Sequence, residues 1–379
     1  MAELTIRTRA EDAGVVDMAI DGSVIAEVAA RERSAAAERV IDAQAFSVLP
    51  GFIDIHNHGA VGVDVNTADA EGLLRISRFL ASQGVTAWLP TLVPDADVVY
   101  ERVVAAIDEV MERQDDLPVA QIVGVHYEGV FANEKMCGAL RPQFFKRFTG
   151  GEVAGLPRPR SGVRMTTFAP EIDSGVELVR ELVREGWIAS IGHTHADVAT
   201  LEAAFEAGAR HLTHFFNAMT GIHHRDVGVA GWGLTRPGVT FDIIADGVHV
   251  DMRMVEFACR TRGVESVSLI SDSVAPTGLG DGEFELWGER LSVVRGRTRN
   301  ERGSIAGSVA TMLDCVANMM KLGFSGEEIA AMASANPARL LGVDDSRGTI
   351  EPDKRADLVA IDRDGNIAWT MIGGRLVGE

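Results

Sequence analysis

Cysteine is scarce: Cys137, Cys259 and Cys315 are the three in a chain of 379 residues. They are far apart and odd in number, so no disulfide framework is expected and a reducing, cytoplasmic setting is. No run of eighteen or more apolar residues occurs, so no membrane-spanning helix is expected. The opening stretch MAELTIRTRAEDAG is charged and has no apolar core, so no signal peptide is expected. Basic residues are in deficit: 36 Lys and Arg against 55 Asp and Glu leave a formal net charge of −19. Nucleic acid, which binds basic faces, is not an expected partner. An anionic substrate would need a local cationic pocket to offset that field. Internal repeats and low-complexity linkers are also missing.

What is present suits a packed α/β protein: 46% of residues are hydrophobic and Gly is plentiful, at 40 residues. Residues 1–47 read as short alternating strands, LTIRTR, VVDMAI and VIAEVAA, and residues 355–379 read the same way. Between them the pattern changes to buried apolar strands followed by longer helical stretches. Candidate strands cover 48–56, 84–92, 121–128, 163–170, 187–193, 211–218, 239–249 and 266–272. Helical periodicity separates most of them, over 69–82, 95–114, 173–185, 196–208 and 251–262. Eight strands in βα alternation predict a (β/α)₈ TIM-type barrel. The barrel is expected over 48–349, with a small β-sandwich domain formed by 1–47 and 350–379. The segment 129–160, rich in Gly, Pro and basic residues, reads as an active-site loop.

The strand count gives the polar residues a common address. His56, Glu128, His193, His214, His249 and Asp272 all fall at or just beyond the carboxyl ends of predicted strands, the face where barrels build active sites. His56 and His58, two apart on an extended segment, point to one side and can approach one ion. The bland alternative is a polar turn. Glu128 is expensive to bury unless paired or bound to a cation. A metal would satisfy it; a salt bridge to a cation such as Lys135 is the alternative. His193 is the expected ligand of the HTH pair, with His195 capping the next helix or supporting the site. His214 is preferred over His211, which together with His126 reads as a satisfied core histidine. Asp272 beside a metal-activated water would serve as base and then acid; helix capping is its alternative. Arg225 and His249 are the cationic candidates for substrate.

The segments PGFIDIHNHG, GVHYEG, SIGHTHA, THFFNAM, IADGVHVD, ISDSVAPTG and GSIAGSVATM, in order, resemble the motif series of the N-acetylglucosamine-6-phosphate deacetylase family of amidohydrolases. The likeness runs from about residue 48 to the carboxyl end. It implies removal of acetate from the acetamide of an amino-sugar 6-phosphate. It further implies that Glu128, His193 and His214 hold a principal divalent metal and that His56 and His58 hold a second. Zn²⁺ is the expected ion, one or two per subunit, with Fe²⁺, Mn²⁺ or Co²⁺ as alternatives. Asp272 would be general base and acid. Asn217, Ala218, His249, Ala139, Leu140, Ile305, Ala306 and Gly307 would line the substrate pocket. Arg225 would reach the phosphate of the neighbouring subunit's substrate in a homodimer. Two departures stand out: HYEGVF replaces the family's usual HLEGPF, and Leu140 occupies the place of a His that contacts the substrate amide. Cys137 lies in the same loop.

Two other readings compete. A cyclic amidase or an N-acyl-amino-acid deacylase would keep the barrel and change the substrate, but the carboxylated Lys that many cyclic amidases use has no counterpart in strands three or four. A non-catalytic barrel serving in assembly would be free to lose ligands, whereas this chain keeps a full set.

Overall fold

The computed structural model describes residues 4–10, 14–31 and 38–378. Residues 1–3 and 11–13, on which the reading of the opening stretch partly rests, and 32–37 of the small β-domain lie outside the described residues. Among the described residues, eight parallel strands follow one another around a barrel: β1 (Phe52–Asn57), β2 (Val85–Leu92), β3 (Gly124–Phe131), β4 (Val163–Phe168), β5 (Ile188–Ile191), β6 (His211–Leu212), β7 (Thr240–Ile244) and β8 (Val267–Ile270). Each pairs with the next. The ring is brought together at the carboxyl end, where Asn57 bridges to Ser273. There the Asp272 N–H donates to the His56 carbonyl at 3.0 Å and the His58 N–H to the Ser273 carbonyl at 2.8 Å.

Strands β2 and β3 are buried along their whole length, as a parallel sheet under helices requires. The helices cover the outside: α1 (Ala70–Ser82), α2 (Asp97–Arg113), α3 (Gly175–Arg184), α4 (Val198–Ala207), α5 (Gly228–Thr235), α6 (Met252–Arg262) and α7 (Met312–Lys321). Several starts are written in the sequence. Asp69 and Asp197 accept backbone N–H groups of α1 and α4, and Thr311 with Asp314 forms a capping box on α7. Inside the barrel, Ile53, Ile55, Leu89, Met165, Ile244 and Ile270 pack with Ala338 and Leu341 of the helix Asn336–Leu341. The barrel is therefore a filled core and not a pore.

Two four-stranded sheets form the small β-domain from both ends of the chain. One contains Leu4–Ala10, Gly14–Asp21, Val24–Ala30 and Arg39–Asp42; the other contains Ser47–Pro50, Leu358–Ile361, Ile367–Ile372 and Arg375–Leu376. Ile6, Met18, Ile20 and Ile25 meet Leu358 and Met371 in their shared core.

The expected first strand, 48–56, is thus two strands in two sheets. Ser47–Pro50 pairs with Leu358–Ile361 in the small domain, and only β1 enters the barrel. The crossing is at Gly51, where a Cβ would come within 2.3 Å of the Thr86 hydroxyl. The continuous apolar run conceals that change of sheet. The later strands are also shorter than expected, β6 ending at Leu212. A further element follows β8: a three-stranded antiparallel sheet, Gly282–Leu286, Glu289–Val294 and Arg297–Asn300.

Candidate metal centre

The residues that leave the barrel strands at their carboxyl ends do so by a sharp change of backbone direction. His193, His214 and Asp272 have φ of 48°, 33° and 49°, and Phe216 and Ala218 follow at 77° and 49°. Left-handed backbone is disfavoured for such residues and persists where the surroundings hold it. The turn after β6 is held by Asp242 of β7, whose carboxylate accepts the His214 N–H and whose carbonyl accepts the Phe215 N–H at 2.8 Å. His211 closes that arrangement, its Nε2 3.1 Å from the same carboxylate.

Six side chains converge as a result. Nε2 of His193 and of His214 stand 2.9 and 3.0 Å from Oε1 of Glu128. His56, His58 and Asp272 form a second group, with Nε2 of His58 3.3 Å from Oδ1 of Asp272 and 3.0 Å from Nε2 of His56. Within each triad the candidate ligand atoms lie within 4.8 Å of one another. Glu128 faces both groups, since its Oε2 is 3.3 Å from Nε2 of His58.

Hydrogen bonds behind two of the rings aim them. His58 Nδ1 is 3.1 Å from the Thr91 carbonyl and His193 Nδ1 is 2.8 Å from the Met136 carbonyl. A carbonyl only accepts, so Nδ1 carries a proton and Nε2 is the atom turned to the centre, where it donates to a carboxylate when protonated and offers its lone pair to a cation when not. Asn57, between the two histidines of β1, turns the other way and donates to Asp54 and Ser273 at 3.1 and 2.7 Å.

The charges fit a cation. Burial would raise the Glu128 carboxyl, yet hydrogen bonds from His193, His214 and His56 hold it well below the usual carboxylate range. Burial would likewise raise Asp272, but the His56 and His58 imidazoles hold it low. In turn His58 and His214, against the effect of burial, are pushed up to about 10 and about 9 by the hydrogen bonds to Asp272 and Glu128 respectively. Two buried carboxylates among four imidazoles demand positive charge, which protons or a divalent ion of N/O preference can supply.

Above the centre opens a cavity of about 320 Å³. Ala139, Leu140, Asn217, Ala218, His249, Ile305 and Gly307 line it with the centre's own residues. Asp246 orients His249, its Oδ2 lying 2.8 Å from Nδ1 and 3.2 Å from the Ser308 hydroxyl. Leu140 is buried against Gly129, where a Cβ would lie 2.3 Å from its Cδ1 and where φ is +71°.

Two expected residues are not at the cavity. Ala306 is buried in a satellite core with Val274, Leu286 and Leu291; its neighbours Ile305 and Gly307 take the lining positions. Arg225 is exposed and is not among the residues that line the cavity of its own chain; its Nη1 is 2.7 Å from His224 Nε2. The expected capping role of His195 belongs to Asp197 instead; His195 lies beside Asn133 and Glu171. His126, as expected, is a satisfied core residue, bonded to the Ile55 carbonyl and the Thr167 hydroxyl. The Glu128–Lys135 salt bridge does not form: Glu128 meets the histidines. Sequence reasoning missed Trp287, Ser304 and Gly138, which also line the cavity, and Asp246 behind His249. The stretch GEFELWGERLSVV has the alternation of a hairpin, but nothing in it says that the turn folds over the barrel rim.

Residues 47–377 match the model of the amidohydrolase family. The chain is 36% identical to an N-acetylglucosamine-6-phosphate deacetylase of Bacillus subtilis over 348 residues, which cover 89% of this chain and 86% of that one. It is 34% identical to an N-acetylgalactosamine-6-phosphate deacetylase of Escherichia coli O157:H7 over 340 residues, 89% of each chain. The fold is similar to that of a mutant N-acetyl-D-glucosamine-6-phosphate deacetylase from Mycobacterium smegmatis solved in complex with N-acetyl-D-glucosamine-6-phosphate, with a TM-score of 0.87, 29% identity and full coverage of both chains.

Proposed function

The chain belongs to the amidohydrolase family, and on that premise we propose that it hydrolyses the acetamide of an N-acetylhexosamine 6-phosphate, N-acetylglucosamine 6-phosphate first, to the amino sugar phosphate and acetate. The observation that carries this reading is the pair of triads joined by Glu128 at the floor of a cavity on the catalytic face of the barrel. The names and the bound sugar phosphate of the relatives supply the substrate class.

In this reading Glu128, His193 and His214 hold one divalent ion, and His56 and His58 with Asp272 nearby offer a place for a second. Zn²⁺ suits the imidazole and carboxylate donors, and Fe²⁺, Mn²⁺ or Co²⁺ share that preference. When bound, such an ion polarises a carbonyl and lowers the pKa of water. Asp272 accepts the proton of the attacking water and then delivers it to the sugar nitrogen as the amide C–N bond breaks. His56 and His58 hold its carboxylate in place and ionised, with its proton-accepting oxygens free of a proton. His249, oriented by Asp246, and Asn217 with Ala218 receive the sugar.

Arg225 binds phosphate in a neighbouring subunit; its exposure and its absence from the lining of its own cavity support a homodimer built that way. Three cysteines without disulfides support a cytoplasmic setting. Among the described residues no helix is long and apolar enough to cross a membrane. We assign 52–349 to the hydrolase unit and 1–50 with 350–379 to the small β-domain, which moves the expected boundary at 47/48 to the change of sheet at Gly51.

The test is a substrate panel on the zinc-loaded protein: N-acetylglucosamine 6-phosphate, its galacto epimer, and the sugars without phosphate. The phosphorylated sugars should be preferred by about tenfold or more in kcat/KM, the scale of a lost charge-assisted contact. Equal rates without phosphate would overturn the substrate assignment.

A further inference from the structure

On the His58 side, the wall of the catalytic cavity rests on a single indole. Trp287 stands at the turn between Gly282–Leu286 and Glu289–Val294. Its ring meets the His58 imidazole edge to face, with centroids 5.4 Å apart. The same residue lines a second cavity of about 310 Å³, whose other walls include Asp64, Asp95, Arg141 and Glu285. Among the described residues, Trp287 alone lines both cavities. It is the partition between them.

The partition is anchored. Leu286 and Leu291, on either side of the turn, are buried with Val274, Ala275 and Ala306. Arg302, in the turn just after the last strand of the inserted sheet, reaches the Ala139 carbonyl at 2.8 Å and Glu289 at 3.0 Å, fastening the sheet to the loop that bears Ala139 and Leu140. Trp287 itself holds φ of +55°, a conformation disfavoured for a bulky residue unless its surroundings impose it.

We infer that Trp287 sets the length of acyl chain that the site accepts. The inference rests on the deacetylase reading above and deepens it. A secondary amide is planar and trans, so the sugar carbon and the acyl carbon lie on opposite sides of the C–N bond. Hydrolysis requires the carbonyl carbon to sit beside Asp272 and His58. With the sugar directed towards Asn217, Ala218 and His249, on the segments after β6 and β7, the acyl end points towards the rim of β1. There the indole stands against His58. An acetyl methyl stops short of it, whereas a longer chain runs into an anchored wall. Behind the wall is open, polar space.

The experiment compares kcat/KM for the N-acetyl, N-propionyl and N-butyryl forms of glucosamine 6-phosphate, using zinc-loaded wild type, Trp287→Ala and Trp287→Phe. The butyryl-to-acetyl ratio is the readout, because it is independent of the fraction of protein that is folded and loaded. The ratio should be low in the wild type and rise by about tenfold or more in Trp287→Ala, the scale on which pockets discriminate added methylenes. Trp287→Phe should fall between. A ratio unchanged in both variants, with all rates reduced together, would mean that the indole is merely structural and would overturn the inference. A wild type that cleaves none of the three refutes the deacetylase reading instead, so the two failures are distinct.

Discussion

Glu128 joins the two halves of the centre: one carboxylate oxygen is 2.9 Å from His193 and 3.0 Å from His214, and the other is 3.3 Å from His58. Metal affinity should therefore depend on this side chain more than on any single imidazole. Glu128→Gln keeps the shape and removes the charge. Elemental analysis should find bound zinc reduced from at least one ion per chain to a small fraction, with activity lost in parallel. Full occupancy in this variant would show that the carboxylate is not a ligand.

Asp272 separates binding from turnover. Asp272→Asn should retain metal and substrate affinity while kcat falls by about 10²–10⁴-fold, the contribution of a positioned acid–base group. Near-normal kcat would remove Asp272 from its role as base and acid.

Asp246 acts through His249. The carboxylate accepts from the imidazole at 2.8 Å and from two backbone N–H groups. Burial would raise this carboxyl, but the His249 hydrogen bond keeps it below the usual range. Asp246→Asn should loosen the ring that lines the cavity and raise KM by about tenfold, the value of one charge-assisted hydrogen bond, while kcat changes little. A collapse of kcat at unchanged KM would point to a direct part in the chemistry.

Gly129 follows the bridging carboxylate at a φ of +71°, with Leu140 packed where a Cβ would be. Gly129→Ala combines backbone strain with overpacking and should cost about 2 kcal/mol or more. Thermal unfolding should start lower, and metal binding should weaken because Glu128 shifts. An unaltered melting temperature would contradict the packing described.

The fold was legible because barrel strands buried on both faces read as apolar runs, and each run ends in the polar residue that it delivers to the rim. His56, Glu128, His193, His214 and Asp272 could be selected on that ground before any contact was known. The strand limits were less legible. Left-handed turns at His193, His214 and Asp272 end the ladders early, and no periodicity encodes a single φ value. The join at Gly51 was hidden because both sheets need apolar residues there. Trp287 and Asp246 escaped for a different reason. One depends on a hairpin folding over a distant rim and the other on a side chain three residues away, and both are relations of tertiary structure. Arg225 reads as cationic from sequence, yet it is exposed and does not line the cavity of its own chain.

The central claim is that this centre cleaves an acetamide with the aid of a bound divalent ion. Its most direct measurement is acetate release from N-acetylglucosamine 6-phosphate while metal-free protein is titrated with Zn²⁺. The account predicts that acetate and glucosamine 6-phosphate appear in equal amounts, at a rate that rises with zinc and saturates at one or two ions per chain. Saturation of the protein with metal, with no acetate released, would contradict it.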